Sequence, residues 1–218
     1  MAIGLGLVDL KTKKLKTCLI CCSVLKSEIE KLILQGDLDV DVVYVSKLFH
    51  VDYGLLEKNL RRTIERTLPK TAQKPVLVYG DLCLGPNGEM KQLARDYDLT
   101  KINALNCVDC LLGGNSKIDE ADPKHELMFF DPGMIEFFQI MQKRLKKEGV
   151  SEEALRNMFS GIKGVVLLDT LGNAEKCKAQ IEELNTGLQI LDVKEVGLDN
   201  LKKVISQAVS DSHKKRKS

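Results

Sequence analysis

Residues 75–88 read Pro75-Val76-Leu77-Val78-Tyr79-Gly80-Asp81-Leu82-Cys83-Leu84-Gly85-Pro86-Asn87-Gly88, and Glu89 to Tyr97 (EMKQLARDY) follow directly. A short run of aliphatic residues gives way to a glycine-punctuated turn and then to a stretch of helix formers. That is the pattern of a strand buried on both faces, a loop, and a helix that covers it.

The same phrase recurs on either side. Upstream, Leu15 to Cys22 reads as a buried strand. Ser23 to Leu34 follows as a helix with Val24, Leu25, Ile29, Leu32 and Ile33 on one face. Asp41 to Ser46 (DVVYVS) is a second strand, and Tyr53 to Leu68 a helix with Pro69 just beyond its end. Downstream, Lys101 to Leu105 is a fourth strand, and Asn106 caps a short helix that runs to Leu112 and stops at Gly113-Gly114. Asn115 to Lys124 is polar and reads as a surface loop. Leu127–Phe130, Gly164–Leu168 and Leu188–Val193 complete the strands. Helices are expected from Asp131-Pro132-Gly133 to about Lys147, after Ser151, over Asn173–Leu184 and over Leu198–Ser210.

Strands alternating with helices predict the α/β class: repeated βα units around mainly parallel sheet, Rossmann-like, with right-handed crossovers. One sheet and two lobes are both compatible with this pattern. The expected organisation is an N-terminal arm (1–15), a first α/β half (16–114), a second half (115–212) and a basic tail (213–218). The arm alternates Ile3, Leu5, Leu7 and Leu10, which suits either an added strand or a contact in a homo-oligomer.

A chain of 218 residues, 44% hydrophobic and 29% charged, is of ordinary globular composition and needs no disulfides to hold its core. No apolar run approaches the ~20 residues that cross a bilayer, and no signal peptide is evident at the start, so no membrane association and a cytoplasmic location are expected. A net charge of +2 and the absence of Trp disfavour nucleic acid as a partner. No GK[ST] ending, GxGxxG or local Cys/His or Ser/His/Asp pattern points to a nucleotide triphosphate, a dinucleotide or hydrolase chemistry.

Seven cysteines are many for a reducing compartment, where clustered thiols read as metal-binding or reactive. Ligands of parallel α/β folds bind beyond the carboxyl ends of the strands. Cys21-Cys22 ends the first predicted strand, Cys83 follows the third and Cys107 the fourth, so Cys22, Cys83 and Cys107 are the candidate metal ligands, with Cys21 the alternative to Cys22 because a one-residue shift along a strand exchanges their faces. Helix N-termini at that edge are expected to lower their pKa. Free cysteine also serves as a small buried hydrophobe, the reading favoured for Cys18 and Cys177. Gly80, Gly85, Gly113 and Gly114 border these loops and are candidate cofactor-binding positions or plain turn punctuation. His50 faces the same edge or is an ordinary loop residue. The pair Cys107 and Cys110 leaves a redox role open.

The phrases Ile20-Cys21-Cys22-Ser23-Val24-Leu25 with Glu28, Tyr79-Gly80 leading to Cys83 and Gly85, Cys107 with Gly113, and Phe129-Phe130 occur in an order that resembles the DUF1638 domain family, over roughly Lys16 to Ser210. The family pattern places its cysteines at Cys22, Cys83 and Cys107. This chain departs from it with Leu84 where a glycine commonly follows the second cysteine, and with extra thiols at Cys21 and Cys110. The resemblance implies a supporting role in corrinoid-dependent methyl transfer, with a corrinoid protein or methyltransferase as partner. The expected cofactor is an iron–sulfur cluster or zinc on three thiolates. The rival expectations are a non-enzymatic module that binds a corrinoid or corrinoid protein, and a cysteine redox protein.

Overall fold

The computed structural model describes residues 16–214, residue 72 excepted, and the expected N-terminal arm lies outside them. The strands are β1 (Thr17–Cys22), β2 (Val40–Val45), β3 (Val76–Val78), β4 (Thr100–Lys101), β5 (Leu127–Phe130), β6 (Gly164–Asp169) and β7 (Ile190–Glu195). The helices are α1 (Lys26–Leu34), α2 (Tyr53–Thr67), α3 (Glu89–Asp96), α4 (Cys107–Leu112), α5 (Lys117–Ala121), α6 (Pro132–Lys147), α7 (Glu152–Asn157), α8 (Ala174–Glu183) and α9 (Asp199–Lys214). Two sheets form, ordered β2-β1-β3-β4 and β5-β6-β7, and every pairing is parallel. The α/β class predicted from the alternating pattern is what the chain adopts.

Order in the first sheet reverses between β1 and β3: β2 lies on one side of β1, and the chain then crosses to the other side to lay down β3 and β4. Loops leaving β1 and β3 therefore part in opposite directions and open a crevice at their carboxyl ends. The second sheet has sequential order and no such reversal.

Four local expectations differ from the structure. The helix expected from Ser23 begins as a 3-10 turn, Ser23–Leu25, and becomes α-helical at Lys26. The fourth strand is only two residues long, because Ala104 and Leu105 give their carbonyls to Asp81 N–H and Leu82 N–H instead of a ladder. The expected loop 115–124 contains α5, whose first turn forms around buried Asp109: one carboxylate oxygen accepts from Ser116 N–H and the other from Ile118 N–H. The expected tail begins inside α9, where His213 Nε2 lies 3.0 Å from Thr17 Oγ1.

Among the described residues, the larger of two hydrophobic clusters runs through both sheets, and a smaller one around Phe130, Ile135, Val165 and Leu167 belongs to the second lobe. The larger joins Leu19, Ile20 and Leu77 of the first sheet to Phe129, Val166 and Leu168 of the second. Helix α9 follows β7 in sequence yet packs Leu201, Val204 and Ile205 into the core of the first sheet, against α4, β3 and β4. The lobes also meet at Gly133, where a Cβ would stand 1.9 Å from the Val24 carbonyl oxygen, a spacing only glycine permits.

Candidate functional site

Cys22 is the last residue of β1 and caps the turn that follows, its Sγ accepting from Val24 N–H at 3.4 Å. Cys83 lies in the 3-10 turn Asp81–Leu84 after β3. Cys107 opens α4, whose cap is Asn106, with Oδ1 accepting from Asp109 N–H at 2.9 Å. Three strand ends thus deliver three thiols, and all three line one cleft of about 340 Å³ at the reversal point of the first sheet. Most of its wall is apolar, including Val78, Ile102, Met134 and Phe137. The last two belong to α6, so the second lobe supplies one side.

Polar side chains complete the lining, Lys47, His50 and Tyr79 among them. Lys47 is positioned by its backbone N–H, which donates to Ser23 Oγ at 2.9 Å, and its Nζ lies 2.5 Å from Glu136 Oε2 on α6. His50 Nδ1 is 3.8 Å from Cys22 Sγ, and its ring stacks on Tyr79 with centroids 6.1 Å apart. Tyr79 is 1% exposed, and among the described residues its hydroxyl has no oxygen or nitrogen partner and lies beside the Cys22 thiol.

Of the four glycines expected to hold a cofactor, Gly80 lines the cleft, and Gly85, Gly113 and Gly114 do not. Gly80 and Gly114 serve close backbone approach: a Cβ would meet Leu105 O at 2.3 Å in the first case and Asn103 O at 2.4 Å in the second. Gly113 ends α4 at φ +114°, and Gly85 turns the chain at φ +124° after the Cys83 turn.

The thiols are not acidified. Burial pushes Cys22 up to about 12 and Cys83 up to about 11, and it raises Cys107 and Cys110 well above an ordinary thiol. Desolvation outweighs the favourable helix ends expected to lower these values. Neighbouring thiols raise one another further. His50 is shifted down by burial, toward the neutral imidazole. Behind the cleft, Glu28 and Asp131 are fully buried and both shifted up, first by desolvation. Thr170 Oγ1 donates to Glu28 Oε1 at 2.8 Å, and Asp131 Oδ1 caps α6 through Gly133 N–H and Met134 N–H. The other oxygen of each carboxyl has no partner among the described residues.

Sequence reasoning located the thiols but not Lys47, Tyr79 or the α6 wall. A lone lysine inside Val45-Ser46-Lys47-Leu48-Phe49 was the available signal. Among the described residues, no group of three or more His, Cys, Asp or Glu side chains is arranged to hold a metal ion. No helix among them is long and apolar enough to cross a membrane.

A model of the family described as protein of unknown function DUF1638 matches residues 44–205. The match takes in Cys83 and Cys107 and starts beyond Cys22, so it is narrower than the span of the sequence resemblance. No curated protein and no solved structure matches the chain.

Proposed function

This chain belongs to the DUF1638 family, and we propose that it is a metal-dependent accessory protein or enzyme of corrinoid-linked methyl transfer, with Cys22, Cys83 and Cys107 as thiolate ligands. The observation that carries this reading is the meeting of three thiols from three strand ends in one cleft. Thiolates are soft donors that select zinc and iron–sulfur clusters over hard cations, and three of them leave a fourth position open. The donor set fits such a group in kind. In spacing it does not fit as it stands: among the described residues no three such side chains are gathered to hold an ion, so loading would require the loops to move. When bound, zinc would hold an acceptor thiol as thiolate, and a cluster would pass electrons.

The chain's own contribution is protonic and steric. Buried neutral thiols must each release a proton on ligation, so loading is disfavoured at low pH. His50, held toward neutrality 3.8 Å from Cys22 Sγ, is the nearest acceptor for the first of these protons. Val24 N–H then remains as a donor to the charged sulfur. Met134 and Phe137 keep bulk water from the α6 side.

The second reading, a non-enzymatic module for a corrinoid or corrinoid protein, draws on the cleft rim. Tyr53 and Leu82 line the cleft yet are 57% and 43% exposed, and nearby Val51 is 47% exposed. A redox role for Cys107 and Cys110 has less support, since it requires a depressed thiol pKa and burial raises both.

The test is metal and acid-labile sulfide content of anoxically purified protein, wild type and Cys83→Ser. Bound iron with sulfide, or zinc alone, lost in the variant, is the expected result. A metal-free wild type that still binds cobalamin leaves the docking module and removes the thiolate centre.

A further inference from the structure

We propose that the cleft receives a small organic anion, a carboxylate or sulfonate on an apolar body, with Lys47 as its charged partner. Among the described residues, Lys47 is the only Lys or Arg lining the cleft, and no Asp or Glu lines it. The lysine is 6% exposed, whereas the Glu136 side chain that pairs with it is 64% exposed and reaches in from the other lobe. A carboxylate so exposed gains little from the pair and is readily displaced into water. A ligand anion taking its place exchanges one negative charge for another. The balance with Glu28 and Asp131, whose fields reach Lys47 from behind, is then unchanged.

Tyr79 supplies a second and independent sign of a ligand. Among the described residues its buried hydroxyl has the Cys22 thiol beside it and no oxygen or nitrogen partner, and the residue lines the same cleft, so an acceptor oxygen on the ligand would satisfy it better. Val78, Ile102, Met134 and Phe137 would receive the apolar body. The volume of about 340 Å³ falls at the lower end of the range for small-molecule sites, about 300–1,000 Å³. This anion site shares the cleft with the thiols and does not depend on a metal.

The experiment compares anilinonaphthalene sulfonate with its uncharged parent, phenylnaphthylamine, by fluorescence titration of metal-free full-length protein in chelator. Sulfonate affinity is expected to fall about ten-fold in Lys47→Met and to rise several-fold in Glu136→Gln, with phenylnaphthylamine bound equally by all three proteins. Neither Lys47 nor Glu136 lines the apolar cavity at Phe138, Met141 and Phe159, so any dye taken up there is expected to be the same in all three proteins and to cancel from the comparison. Equal sulfonate affinity in the three proteins overturns the proposal, and so does a loss of both dyes together in Lys47→Met without a gain in Glu136→Gln. Should Lys47→Met not fold, Glu136→Gln decides alone, because its side chain is exposed. Metal content, measured separately, reports on the thiolate reading and not on this one.

Discussion

Asp131 caps α6 with one oxygen and leaves the other without a partner, and its carboxyl is pushed up to about 7 by burial and by the field of Glu28. The unfolded chain gives up the same proton near ~3.9. Between about pH 4 and 7 the folded state therefore holds a proton that the unfolded state has lost. Stability from this group is full below that window and declines as pH rises through it. Asp131→Asn keeps the cap's acceptor oxygen and removes the titration. Its stability relative to wild type, from urea unfolding at several pH values, is expected to climb across that window and to level off above it. A difference independent of pH sinks the assignment. At this scale the three thiols were readable in advance, since a residue that ends a parallel strand is committed to the sheet edge where ligands sit. Lys47 was not readable, because its importance comes from a helix nearly ninety positions away in sequence.

Helix α9 shows how an element can be correctly located and still misjudged. Its apolar spacing marked a helix over Leu198–Ser210, but spacing does not say which sheet a helix covers. It seals the first lobe with Leu201, Val204 and Ile205. Burying three such side chains contributes about 5–8 kcal/mol, against a total stability of about 5–15 kcal/mol. A chain ending at Leu198 is accordingly expected to lose its fold, seen as loss of near-ultraviolet circular dichroism and poor solubility, not as a modest fall in Tm. If it keeps a cooperative transition within a few degrees of wild type, the packing assigned to α9 is wrong. Helix α5 escaped the sequence for another reason: its polar segment has no apolar period. What organises it is the buried Asp109 carboxylate, seven positions before its cap residue Ser116.

For the whole molecule, strand pattern alone left one sheet and two lobes open, since pairing is not encoded in period. The two sheets share a core, with Phe129, Val166 and Leu168 joined to the cluster of the first lobe. They are therefore expected to unfold together. The sequence offers a direct check, because Tyr44, Tyr53, Tyr79 and Tyr97 all belong to the first lobe. Tyrosine fluorescence then reports that lobe alone, and far-ultraviolet circular dichroism reports both. Coincident urea transitions are expected, and a biphasic dichroism curve beside a single fluorescence step would mean the lobes are independent.

The return of α9 to the first sheet also fixes an order of completion. Ribosomes release the amino-terminal half first, and domains ordinarily fold as they emerge. Here the strands made earliest must wait, with the β3–β4 flank bare, until Asp199–Lys214 has been synthesised. The first lobe is thus completed only after the second has been made, and until then its open seam is left for chaperones to guard.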